Sequence, residues 1–312
     1  MPLIAAIAGG VGAARLIRGL IEAVDPQSLS VVVNTGDDTR FHGLHVSPDV
    51  DTVVYTTSGA IDPERGWGLA GETWTAMGAL ARYAPFGAVD WFNLGDRDLA
   101  THLWRTGRLA EGASLTEVTR DLASSWGLTF RLLPMSDDPI STVVETADGQ
   151  LAFQEYFVRH KHSIPVTGVR FEGIESARPG PSVLATLECA EAIIVCPSNP
   201  IVSIGPVLAV DGVRSVLERR RHRVVGISPI VAGAALKGPA DRMLTELGHE
   251  SSVVGVARLY APFCSVLVID HADADRVAAI EACGIRAVVT DTIMRTPAVA
   301  AALSLTALAA LG

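Results

Sequence analysis

The sequence predicts an α/β protein: a parallel sheet with helices on both faces and a smaller inserted α+β region. Short apolar, often β-branched runs recur at Leu3–Ala8, Leu29–Asn34, Val89–Phe92, Ala192–Cys196, Arg223–Ile227, Ser265–Ile269 and Arg286–Thr290. Near-continuous apolar runs of that length are what strands buried on both faces look like. Helical stretches lie between them, the alternation that parallel strands joined by crossover helices require. An apolar content of 49% over 312 residues supplies a core for one large domain or two modest ones.

Taken in order, the chain opens on Met1-Pro2 and an apolar run that lacks a basic leader and breaks into glycines after Ala8, too short to cross a bilayer and suited to a buried first strand. Between Ala60 and Gly127 the pattern is mainly helical, with Gly71–Tyr83, Leu99–Thr106 and Leu115–Trp126 as a helical wall beside a cleft. From Pro134 to about Pro181 hairpin pieces take over: Val143–Thr146 and Leu151–Phe153 flank Asp148-Gly149, a strong turn dipeptide. The chain thus divides into a core with its helical wall at 1–133, an inserted region packed over the sheet at 134–181, and the rest of the core at 182–312. The Ala- and Leu-rich end from Ala298 to Gly312 follows Pro297 and falls short of the ~20 residues a membrane span needs, so a packed terminal helix is expected.

Lys and Arg number 25 against 34 acids, a formal charge of −9. That excludes a broad electropositive face for nucleic acid while leaving room for a local basic pocket. Cys189, Cys196, Cys264 and Cys283 show no C-x-x-C spacing, and all four read as small buried residues of a protein in a reducing compartment. A cytoplasmic protein without membrane segments is expected.

In open parallel sheets ligands bind beyond the carboxyl ends of the strands, which directs attention to five segments. Ala8-Gly9-Gly10-Val11-Gly12-Ala13-Ala14-Arg15 joins the first strand to a helix; glycines admit a ligand close to the backbone, and a helix N-terminus offers free N–H groups to an anion. The spacing is not the dinucleotide fingerprint, and a ligand-free strand-to-helix turn explains the loop taken alone. Asn34-Thr35-Gly36-Asp37-Asp38 and Pro48-Asp49-Val50-Asp51-Thr52 bring four carboxylates within fifteen residues. Such a group repels itself unless a cation or donors compensate, and oxygen-only ligands favour Mg²⁺. Helix capping accounts for some of the four. In Asn93-Leu94-Gly95-Asp96-Arg97-Asp98-Leu99-Ala100-Thr101-His102, Asp98 is expected to cap the following helix while Arg97 points into the cleft to meet a planar ring or phosphate; a lone His102 reads as structural. Pro197-Ser198-Asn199-Pro200, with Gly205 soon after, is a rigid loop of donors, and the segment from Gly226 to Pro239 supplies Lys237, suited to a phosphate.

Together these motifs resemble the 2-phospho-L-lactate transferase family, in unbroken order from about residue 5 to 240. Arg65-Gly66-Trp67-Gly68, Phe153-Gln154-Glu155-Tyr156 and Val202-Ser203-Ile204-Gly205-Pro206 look closest to its bacterial phosphoenolpyruvate transferase type. The resemblance implies a Rossmann-like homodimer that uses Mg²⁺ and binds the deazaflavin Fo and a GDP-linked three-carbon acid. The terminal ribityl hydroxyl of Fo would attack the phosphate bearing the acid, with GMP leaving and (dehydro) coenzyme F-420-0 formed. By motif position Asp51, Asp49 and Arg97 are expected to contact Fo; Asp51 and Asp38 to act in catalysis and hold Mg²⁺, with Asp37 and Asp49 beside them. Gly10, Gly12, Ala13 and Arg15 are expected to cradle phosphate, with Ser198, Asn199, Gly205 and Lys237 on the nucleotide side. Two other readings compete: an NAD(P)-dependent oxidoreductase, suggested by the glycine loop alone, and a non-catalytic nucleotide-binding regulator of the related gluconeogenesis-factor-like family.

Overall fold

The structure is a computed structural model that describes residues 3–312, so Met1 and Pro2 lie outside it. Seven strands form one sheet: β1 (Ile4–Ala8), β2 (Leu29–Val33), β3 (Arg131–Pro134), β4 (Ala192–Val195), β5 (Val224–Ile227), β6 (Val266–Asp270) and β7 (Arg286–Thr290). Their spatial order is β3-β2-β1-β4-β5-β6-β7, and every adjacent pair is parallel. The order reverses at β1, which pairs with β2 on one side and β4 on the other; the crevice at such a reversal is where open α/β sheets take their ligands.

Both faces of the sheet are covered. Ala5 and Ile7 of β1 join Ile193 and Val195 and the helices Val183–Cys189, Val213–Arg219 and Val253–Tyr260 in one core. Ile4, Ala6 and Ala8 face the other, built on α1 (Gly10–Ala23), α2 (Pro48–Thr57) and the C-terminal helix Pro297–Ala309. Alternate residues of a single strand thus feed opposite layers, as the period-2 pleat dictates.

The terminal helix starts where its chemistry predicts. Thr296 accepts a hydrogen bond from the Val299 amide and Pro297 takes the first helical position. It crosses α1 so closely that a Cβ on Gly19 would lie 2.3 Å from the Ala300 carbonyl carbon. Gly19→Ala is therefore expected to destabilise the protein by about 1–3 kcal/mol, more than the helix-propensity gain of up to about 1 kcal/mol returns. Urea unfolding measures the difference; an unchanged midpoint would show that the crossing is looser than this.

Two strand expectations are corrected. Val89–Phe92 is not a strand: its aromatic residues close a satellite cluster in which Phe92 stacks on Phe41 at 4.0 Å and Trp91 meets Phe41 edge-on at 5.2 Å. With its apolar side chains covered there, the segment has no sheet edge to join. The missing member of the sheet is β3, whose short Leu132-Leu133 centre between Arg131 and Pro134 gives little periodicity. In the helical wall, the first helix is confined to α3 (Thr75–Leu80), continuing as a 3-10 turn at Ala81–Phe86, and is followed by α4 (Asp96–Ala110) and α5 (Leu115–Ser125). Gly71, where the helix was expected to start, has φ +67°, which bars it from a right-handed helix.

The inserted region is a three-stranded antiparallel sheet of Ser141–Thr146, Gly149–Ala152 and Gly168–Glu172. It grips the loop after β2 through the Thr142 amide, which donates to the Gly36 carbonyl at 2.7 Å, and Gln154 Nε2, which donates to the Asp37 carbonyl at 3.3 Å. Cys196 and Cys264 are buried as expected; Cys189, by contrast, is exposed and Cys283 only half-buried, because each follows the turn of a surface helix. Among the described residues no single helix is long and apolar enough to cross a membrane.

Candidate active site

A cavity of about 710 Å³ opens beyond the carboxyl ends of β1, β2, β4, β5 and β7. One wall is acidic. Asn34 ends β2 and turns the chain by accepting from the Gly36 amide at 2.9 Å, while its Nδ2 donates to Asp49 Oδ2 at 2.9 Å. That bond ties the β2 loop to the start of α2, where Pro48 fixes the first turn and Asp49 and Asp51 meet the positive end of the helix. Ser47, at the N-cap position, does not cap. It donates to Asp38 Oδ2 at 2.7 Å, which His45 Nε2 also meets at 2.9 Å.

Burial raises these carboxyls. It lifts Asp37 well above the ordinary aspartate range, with the charge of Asp49 adding to the effect. Asp49 is pushed up to about 7 by burial, although its bond from Asn34 opposes the shift. Burial also raises Asp51, against the pull of the Arg105 guanidinium. One oxygen each of Asp37 and Asp38 is buried with no hydrogen-bond partner.

The second segment of that wall reverses an expectation. Arg97 is exposed, donates to the Ala70 carbonyl and stands off the cavity; Asp98 is the residue that turns in. The reason lies in the caps. Glu72 accepts from the amides of Arg97 and Asp98 at 2.8 and 2.9 Å, and Asp96 accepts from those of Thr75 and Ala76 at 3.0 and 2.9 Å. These bonds fix the phase of α4 so that Asp98, Thr101, His102 and Arg105 form its buried face. Arg105 pairs with both oxygens of Asp51, His102 Nε2 lies 3.3 Å from Asp98 Oδ2, and the Tyr55 hydroxyl donates to Asp98 Oδ1 at 2.7 Å. Asp51, Asp98 and His102 are the one group among the described residues whose three ligand atoms lie within 4.8 Å of one another. Asp38 stands outside it.

Groups that suit an anion adjoin this wall, and Asp49 itself accepts from the Gly10 amide. Gly10, with φ +74°, Gly12 and Arg15 line the cavity at the start of α1. Gly12 is also required for packing, since a Cβ there would lie 2.2 Å from the Pro197 carbonyl oxygen, closing the β1 and β4 loops on each other. Lys237 lies on the same cavity, held below the ordinary lysine range by burial and then by the neighbouring charge of Arg15. Ser198 is buried there with an unpartnered hydroxyl. Two expected contacts fall elsewhere: Ala13 is wholly buried behind the loop and Gly205 packs on the Phe171 ring; the Asn199 side-chain oxygen caps the next turn by accepting from Ile201 at 2.9 Å. Asn199 itself still borders the cavity, as do the aromatic rings of Trp67, Phe92 and Phe157.

The family model described as 2-phospho-L-lactate transferase CofD matches residues 4–303. The chain belongs to the 2-phospho-L-lactate transferase family. A phosphoenolpyruvate transferase of Kitasatospora aureofaciens is 43% identical, over 98% of this chain and 97% of its own. A 2-phospho-L-lactate transferase of Methanosarcina mazei is 41% identical, over 92% and 93%. Among solved structures, a member of the upf0052 family from Bacillus halodurans superposes with a TM-score of 0.64 over 98% of this chain and 99% of that chain, at 14% identity. That likeness is one of fold.

As a member of the 2-phospho-L-lactate transferase family the protein is an enzyme of the transferase class, which removes both the oxidoreductase and the non-catalytic regulator. Tyr55 and Arg105 had no place in the sequence expectations and His102 was expected to be structural, yet all three join the polar cluster around Asp51 and Asp98. The signal for two of them was present: Asp98, Thr101, His102 and Arg105 follow the i, i+3, i+4, i+7 spacing of one helix face.

Proposed function

We propose that this enzyme transfers a phosphoenolpyruvyl or 2-phospholactyl group from a GDP-linked donor to the ribityl hydroxyl of Fo, as a cytoplasmic homodimer that uses Mg²⁺, in the synthesis of coenzyme F-420. The observation that carries the reading is a single cavity lined both by buried carboxylates and by Arg15, Lys237 and the glycine loop. A cation-bound diphosphate suits such a lining, with a planar acceptor resting on the aromatic rim. The acceptor oxygen forms a bond to the phosphorus bearing the three-carbon acid, the bond from that phosphorus to GMP breaks, and the hydroxyl proton passes to a carboxylate. Positioning and charge neutralisation contribute most to such a step.

The residues fit a hard, oxygen-liganded cation, because one buried carboxyl oxygen each of Asp37 and Asp38 has no partner and burial opposes the ionisation of Asp37 without one. Asp51 would hold the ion, with Asp98 beside it; Asp38, the second ligand expected from the sequence, stands outside that group and would have to join it from beyond the cavity lining. When bound it would offset charge on the donor's diphosphate. Asp51 and Asp49 serve the acceptor in this reading, and Arg97 serves it only through the segment it anchors.

Without a cation, Asp49 binds its proton more tightly folded than unfolded, so it favours the folded state at low pH. Stability in chelator is therefore expected to fall as pH rises from about 4 to about 7. Added Mg²⁺ should flatten that slope in a thermal melt; a slope of the opposite sign would rule the carboxyl cluster out as its source. The substrates themselves are tested by incubating the protein with Fo and donors carrying phosphoenolpyruvate, 2-phospholactate or 3-phosphoglycerate, followed by mass spectrometry. Joined product with equimolar GMP is expected from one of them, and no product from any donor would sink the reading.

A further inference from the structure

We propose that Arg105 is the positioning residue of this transfer site: it fixes Asp51 and His102 in the one arrangement that presents Asp51 and Asp98 to the cavity with their lone pairs assigned. The inference rests on the transferase reading above and concerns residues that carry no role in it.

Arg105 is 1% exposed, the largest side chain so fully buried. Its Nη2 donates to Asp51 Oδ1, and its Nη1 donates to Asp51 Oδ2 at 3.1 Å and to His102 Nδ1 at 3.1 Å. A guanidinium only donates. His102 Nδ1 must therefore accept, which places the ring proton on Nε2, 3.3 Å from Asp98 Oδ2 though not aligned for a hydrogen bond with it. The other Asp98 oxygen takes the Tyr55 hydroxyl at 2.7 Å. Burial and the charges of Asp51 and Asp98 keep that phenol protonated. A phenol has one proton, so Thr101 Oγ1, 3.0 Å from the Tyr55 oxygen, donates back to it. Both carboxylates are thereby fixed in rotation by groups on their protein side, leaving their remaining lone pairs toward the cavity that Asp51, Asp98 and His102 all line.

Stability alone gives a poor reason for this arrangement. A buried ion pair seldom holds a fold better than apolar side chains of the same volume, and α2 already packs through Val50, Val53 and Val54 in an apolar core. What the pair supplies is geometry, and only arginine's planar fork can bond two carboxylate oxygens and an imidazole together.

Arg105→Lys keeps the charge and loses the fork. It is expected to melt near the wild type, to lower kcat by about 100-fold or more, and to leave KM for both substrates within about threefold, because the lost restraint acts on the reacting geometry. Methylguanidinium is expected to restore part of the kcat of Arg105→Ala by filling the vacated space. Nitrogen-15 shifts of the wild-type His102 ring are expected to report protonated Nε2 and bare Nδ1, and to change in Arg105→Lys. Wild-type kcat in Arg105→Lys, a loss confined to KM, or a protonated Nδ1 in the wild type would each overturn the proposal. Should Arg105→Lys not fold, the wild-type ring spectrum decides alone. A wild type that transfers nothing defeats the substrate reading instead, while the ring spectrum still tests Arg105.

Discussion

Asp51→Asn is expected to lower kcat by roughly 10²–10³-fold and, in the same protein, to remove about 3 kcal/mol of stability. The two losses have different origins. Turnover falls because Asp51 borders the cavity beside Asp98 and His102, where a full negative charge is needed to hold a cation or a hydroxyl proton. Stability falls because Arg105, buried and always charged, keeps its position but loses its counter-ion. Steady-state GMP release and a urea titration read them separately. Normal turnover in the variant would remove Asp51 from the chemistry; lost turnover with an unchanged urea midpoint would show that Arg105 finds another partner.

Arg15→Ala and Lys237→Ala are each expected to raise the KM for the donor by about 10- to 100-fold, the usual range for a lost hydrogen bond to a charged group, with a smaller change in kcat. Both cations face the cavity and each stands in the field of the other, an arrangement that a bound anion relieves. The same pairing sets a pH dependence. Lys237 binds the anion only when protonated, and its pKa lies below the ordinary lysine range, so donor affinity should fail in the alkaline arm earlier than a free lysine would allow. Donor KM measured from pH 7 upward tests this; a KM flat to the ordinary lysine range would mean that Lys237 does not touch the donor.

Much of the sheet was legible because buried parallel strands write themselves as apolar runs: β1, β2, β4, β5 and β7 lie within the runs that the sequence shows, and β6 runs one residue past its own, to Asp270. β3 was hidden because two leucines between an arginine and a proline carry no period. Val89–Phe92 misled for the converse reason, since aromatic side chains packed on one another look locally like a strand. At the site, glycines and aspartates stood out because their residue types constrain chemistry wherever they fall. Arg97 and Asp98 were exchanged because neighbours in sequence differ by about 100° around a helix, and the phase of α4 is fixed by Glu72, a residue twenty-five positions away from Arg97. No local pattern encodes that bond. The face spacing from Asp98 to Arg105 does encode which residues travel together, and a reading that weighed the polar residues of α4 as one face would have found His102 and Arg105.

The contact between Gly19 and Ala300 has a consequence far from either residue. The end of the chain braces the helix whose opening turn lines the cavity, packing with Leu16, Ile17 and Leu20 in one core. Shortening the polypeptide before residue 297 would strip that brace and let the phosphate loop drift, although nothing removed borders on substrate. The terminal helix is therefore expected to influence the grip on an anionic donor by mechanical support, and changes there should surface as altered affinity before they surface as unfolding.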